Sequence, residues 1–149
     1  MNVVGRGGTR LAGVWADGPQ TYLGLTVHGF PNLFIITGPQ RRSVLTNMPP
    51  AIEDRVDFSA EAIAHLAANG YDTVEATAQA RQEWVAHTDE LAADTLLPAS
   101  ESDWYVGGNV PGEPRRGLVY PGRNTGPPAD LRRGRPRRPP GLRPSTEPG

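Results

Sequence analysis

The sequence predicts an α/β fold: two strands and a helix pair, followed by a long loop and a disordered C-terminal tail. Three observations predict it. Leu33 to Thr37 is a continuous apolar run, too short for a helix and too uniform for a half-exposed strand. Between Pro50 and Pro98, apolar residues recur at helical spacing in two blocks separated by Asn69-Gly70. Residues 117–149 hold eight prolines and six glycines but few large apolar side chains, too few to offset the entropy of ordering them.

Charge divides along the same line. Residues 1–114 carry six arginines against fourteen acids, and residues 115–149 carry nine arginines against two acids, so an acidic body precedes a basic tail. All fifteen basic residues are arginine, the signature of a GC-rich coding sequence, so the excess is not in itself a nucleic-acid signal. No cysteine is present, which excludes disulfides, thiolate metal sites and cysteine nucleophiles. No apolar run approaches the roughly 18 residues of a membrane span, and no signal-peptide pattern opens the chain, so a cytoplasmic protein is expected.

Gly5-Arg6-Gly7-Gly8 lacks the preceding strand and following helix of a phosphate loop and reads as a turn. Asp17-Gly18-Pro19 marks another turn. Thr21 to Val27 has the β-branched and aromatic content of a first strand, interrupted at Gly24. His28 to Asn32 turns the chain into the second, Leu33 to Thr37, which Gly38-Pro39 ends. Trp15 and Tyr22 read as packing residues, and His28, with no His or Cys partner nearby, as a turn residue.

Pro49-Pro50 suits the first turn of a helix, whose N-terminal amides face anions. A ligand is expected at this junction of strand end and helix start. The helix's apolar stripe reads Ile52, Val56, Ile63, Leu66 and Ala67. Asp72 to Ala76 reads as a connector, and Thr77 as the cap of a second helix with Ala80, Trp84, Leu91 and Thr95 inward. Residues 99–114 show neither period, and Trp104-Tyr105 either folds over a ligand or plugs the helix pair. His65 and His87 fall on the helices as solvated or packing residues.

These residues support a family resemblance. DGPQTYLGLTVHGFPNLFIITGP, SVLTNMPPAIE, the TVEAT helix start with Trp84, and DWYVGGNVPG together resemble the C-terminal part of type I Baeyer-Villiger monooxygenases, across roughly residues 3–116. The resemblance implies that residues 1–116 are the C-terminal portion of a Rossmann-like FAD-binding domain. Its fold would then be a fragment of that domain, with residues 117–149 as a disordered tail. Such enzymes use FAD and NADPH to insert one oxygen atom of O2 beside a ketone carbonyl, giving an ester or lactone.

Carried over by position, the resemblance sets Asn47 and Met48 against the flavin ring and Ser43, Val44 and Leu45 along the ketone side. It sets Trp104 on the loop over NADP. No residue is implied as a catalytic acid or base, and none as a metal ligand.

The sequence departs from the family pattern at three places. Arg41-Arg42 replaces a small Ser-Pro-like pair, Glu113 stands where lysine is usual, and the family's two nucleotide fingerprints have no counterpart in these 149 residues. After about Arg116 the chain reads like a shifted frame in GC-rich DNA. A truncated, frame-shifted remnant, not catalytically competent alone, is therefore expected. The alternative reading, from a different class, is a small interaction module whose basic tail binds nucleic acid or acidic partners.

Overall fold

A computed structural model describes residues 2–42, 48–96, 105, 117–122 and 141–146. A 3-10 turn at Arg6–Gly8 and a short helix, α1 (Leu11–Val14), lead the chain. There follow β1 (Arg41–Arg42), α2 (Met48–Asn69), β2 (Thr73–Ala76), α3 (Ala78–Ala93), β3 (Val119–Tyr120) and β4 (Leu142–Ser145). The architecture is mixed helix and strand. β1 pairs in parallel with β3, and β2 pairs antiparallel with β4.

Both helices form where local chemistry dictates. Gly70 lies beyond the end of α2 with φ +67, the left-handed conformation that glycine adopts without strain. The Thr77 hydroxyl accepts from Ala80 N–H at the start of α3, satisfying an amide the helix cannot. Their buried faces differ from the predicted stripes. On α2, Ser59 and Leu66 are buried, whereas Val56 and Ile63 remain 48% and 56% exposed. The helix is rotated because Arg55 reaches inward to Gly24 O at 2.9 Å, which turns the 55/59/66 face to the core. On α3, Thr88 and Ala92 join Ala80 and Trp84 inside, while Leu91 is half-buried; Thr95 lies beyond the helix end and is exposed.

Neither predicted strand forms. Leu23 and Gly24 have φ of +58 and +66, so Thr21 to Val27 folds on itself in a tight turn closed by Tyr22 N–H donating to Thr26 O at 2.8 Å. Leu33 to Thr37 lies between positive-φ residues Asn32 and Gln40 and makes one isolated bridge, Thr26 to Phe34. Its Ile35 N–H donates to Leu25 O at 2.7 Å, and residues 33–36 are half-buried, not buried on both faces.

The reverse holds for the predicted connector and tail. Thr73 to Ala76 is a strand with every residue buried, and Leu142 to Ser145 within the predicted tail pairs with it along its full length, Thr73 opposite Ser145 and Ala76 opposite Leu142. Val119 and Tyr120 are also strand residues and are buried. Leu142 is 2% exposed and belongs to one core with Tyr22, Leu66, Val74, Ala76, Ala80, Trp84 and Tyr120. Gly141 makes that docking possible. A Cβ there would lie 2.3 Å from the Ala80 Cβ and 2.6 Å from Tyr22 Cζ.

Asn32, His28, Gly29 and Arg6 tie the N-terminal loops to β2 and its edge. Asn32 hydrogen-bonds its outer edge, and His28 Nδ1 pairs with Ala76 O at 2.9 Å. Glu75 is 3% exposed: its Oε1 meets Arg143 at 3.0 Å and Arg6 at 3.5 Å, and its Oε2 accepts from Gly29 N–H at 3.3 Å. Among the described residues no helix is long and apolar enough to cross a membrane.

Candidate functional site

The predicted ligand junction runs from Gly38-Pro39 to the start of α2, and the described residues that lead into and out of it are tightly fixed. Gln40 is fully buried with φ +58. Its Oε1 accepts from Thr21 N–H at 3.1 Å, and its own N–H donates to Leu118 O at 2.7 Å. The Thr21 hydroxyl donates to Pro39 O at 2.9 Å and accepts from Gly24 N–H at 3.1 Å. Gly24 packs so closely that a Cβ would fall 2.5 Å from Arg41 Cα. β1 is then pinned in register, Arg41 opposite Val119 and Arg42 opposite Tyr120.

The exit is the first turn of α2. Of its first four residues, two are prolines without N–H groups, so this turn carries fewer main-chain donors than an ordinary helix start. No acidic side chain lies in that turn to neutralise the helix's positive end. The Arg55 to Gly24 bond, one and a half turns further on, ties the helix to the Thr21–Gln40 cluster. The turn sets the positive end of a helix dipole beside the half-buried Met48 side chain. Such an end favours an electron-rich or anionic group. Among the described residues no group of His, Cys, Asp and Glu is arranged to hold a metal ion.

Of the residues expected to form the site, Met48 is the first residue of α2. Asn47, Ser43, Val44, Leu45 and Trp104 lie outside the described residues. Sequence reasoning missed Thr21, Gln40 and Arg55. Their only sequence signal is the Gly24 and Gly38-Pro39 punctuation around them, which marks turns without showing that the turns touch.

No family model matches the chain. Individual proteins do. Acetone monooxygenase (methyl acetate-forming) from Gordonia sp. strain TY-5 is 43% identical over 123 residues, 82% of this chain and 23% of that protein. Cyclohexanone 1,2-monooxygenase from Acinetobacter sp. is 34% identical over 120 residues, 80% of this chain and 21% of its own length. Among solved structures, cyclohexanone monooxygenase from Rhodococcus sp. Phi1 bound to NADP+ superposes with a TM-score of 0.80 at 29% identity, over 99% of this chain and 27% of that one. Oxidized steroid monooxygenase bound to NADP gives 0.70 at 43% identity, over 80% of this chain and 21% of that one. The chain thus spans about a fifth to a quarter of the length of the relatives it matches.

Proposed function

We propose, from the premise that this chain belongs to the Baeyer-Villiger monooxygenases, that it forms one wall of their flavin site, as part of a Rossmann-like FAD-binding domain. The observation that carries this reading is the acid-free helix start at Met48, the positive end of the α2 dipole, at the position the family resemblance assigns to the flavin. Such an end suits the electron-rich edge of an isoalloxazine ring. FAD reduced by NADPH supplies the electrons that activate O2, and the overall change is ketone, O2, NADPH and a proton to ester or lactone, NADP+ and water.

The chain's own share is positioning and exclusion of water. By the family resemblance, Asn47 and Met48 would lie against the flavin, Ser43, Val44 and Leu45 would line the ketone side, and the Trp104 indole N–H would donate to NADP. Thr21 and Gln40 hold the approach to this stretch, and Arg55 keeps α2 in place against Gly24. Rigid support of this kind matters because a displacement of about 1 Å in a reacting geometry can lower the rate a hundredfold.

A graft tests the proposal. Residues 2–96 replace the matching segment of the Gordonia acetone monooxygenase, and the chimera is purified and assayed. It is expected to retain FAD through gel filtration and to convert acetone to methyl acetate with NADPH, and Met48→Asp is expected to lower the flavin content. A folded chimera that carries no flavin would overturn the reading.

A further inference from the structure

A second cluster, outside the flavin wall, joins three aromatic groups. Trp84 and His87 are three residues apart on α3 and so share a face, and β3 brings Tyr120 onto that face. The Tyr120 and Trp84 rings stack, with centroids 5.0 Å apart and planes 14° from parallel. The Tyr120 hydroxyl lies 3.2 Å from His87 Nε2. Trp84 and Tyr120 are 7% and 8% exposed, whereas His87 is exposed to solvent. An easily oxidised indole in the core therefore touches a phenol, and the phenol touches a proton acceptor at the surface. Tyr120 is also the strand partner of Arg42, which stands next to the stretch read above as the ketone side of the flavin site.

We propose that Trp84, Tyr120 and His87 form a one-electron relay that carries oxidising equivalents out of the core to the surface. Its placement beside an oxygen-activating site rests on the reading above; the relay itself does not require flavin. A one-electron oxidant of the oxygen-radical class removes an electron from Trp84, leaving the indole radical cation. Tyr120 returns an electron to the indole across the stacked rings. As it does so, its O–H bond breaks and, in the tautomer that leaves His87 Nε2 without a proton, the proton passes to that nitrogen, giving a neutral phenoxyl radical and an imidazolium. A thiolate solute, supplied from outside the chain because it has no cysteine, then gives one electron and becomes a thiyl radical, and the imidazolium returns its proton to the phenolic oxygen.

The test uses the full chain, without flavin, in a Tyr22→Phe/Tyr71→Phe/Tyr105→Phe background so that the other three phenols do not compete. Hexachloroiridate(IV) serves as the outer-sphere oxidant, with freeze-quenched electron paramagnetic resonance as the readout. A phenoxyl signal is expected, and Tyr120→Phe, which keeps the stacked ring, is expected to abolish it. His87→Gln keeps a polar group beside the hydroxyl but cannot take up the proton. It is expected to slow formation about a hundredfold, the low end of what a positioned proton acceptor contributes, with rate restored by added imidazole. Circular dichroism of each variant verifies the fold. A signal of unchanged size in folded Tyr120→Phe, or an unchanged rate in folded His87→Gln, would overturn the relay. Because no flavin is present, that result leaves the graft experiment untouched.

Discussion

Asn32 satisfies both main-chain hydrogen-bonding groups of Val74: its own N–H donates to Val74 O at 2.9 Å, and its Oδ1 accepts from Val74 N–H at 3.0 Å. Its Nδ2 donates to Asp72 O at 3.0 Å. One residue in a left-handed conformation thus caps the edge of β2 that β4 does not cover. Asparagine is suited to both tasks, since it tolerates φ near +59 and carries a donor and an acceptor. Asn32→Ala is expected to destabilise the fold by about 2–3 kcal/mol, combining the lost bonds to a buried strand with strain at positive φ. Urea denaturation checks this, and Asn32→Gly is expected to recover only the strain component.

Glu75 joins three segments that are distant in the chain. Removing its carboxylate leaves Gly29 N–H without its acceptor and frees Arg6 and Arg143, which are 38% and 60% exposed and so can be hydrated. Glu75→Ala is expected to cost about 2 kcal/mol, mostly from the lost charge-assisted hydrogen bonds and not from Coulomb attraction at solvated arginines. Glu75→Gln, which retains an acceptor for Gly29, is expected to cost less. Denaturation at low and high salt separates the two contributions: the ionic share fades with salt and the hydrogen-bond share does not.

Gly141 is the test of whether the C-terminal strand belongs to the fold. A methyl group there collides with Ala80 and Tyr22, and neither lies at the end of a flexible chain. Gly141→Ala is expected to displace β4 and destabilise by about 1–3 kcal/mol, the usual range for overpacking. Hydrogen exchange is expected to rise at Asp72 and Thr77, whose N–H groups donate to Ser145 and Gly141. Unchanged protection at these amides would show that β4 contributes nothing.

Burial raises the Tyr22 hydroxyl pKa above its ordinary value of 10.0, and nearby Glu83 adds to the effect, while a backbone hydrogen bond with Gly141 works against them. A folded-state pKa above the unfolded one means that the neutral phenol is favoured in the fold. Its contribution is complete below about pH 10 and is lost as pH rises through the raised value. Stability is therefore expected to fall above about pH 10, and Tyr22→Phe is expected to flatten that fall. Thermal melts across the alkaline range measure it.

The sequence by itself determined what depends on near neighbours. Thr77 as a cap, Gly70 as a helix stop, the two helices and the turn character of Gly5 to Gly8 all follow from chemistry within one or two turns of chain. The family resemblance was legible for a similar reason, since it rests on contiguous motifs such as HGFPN and LTNMPP. The tertiary structure alone decided which segments are strands. Leu33 to Ile36 are apolar enough for a strand but lie between left-handed residues that leave no room for a ladder. Thr73 to Ala76 has no distinctive pattern, yet becomes the centre of the fold because Asn32 pairs one edge and Leu142 to Ser145 the other. Glu75 and Arg143 are 68 positions apart, and no local preference encodes a contact at that separation. Strand pairing is settled by which buried main-chain groups find partners in three dimensions, and that accounting closes only when the whole core is assembled.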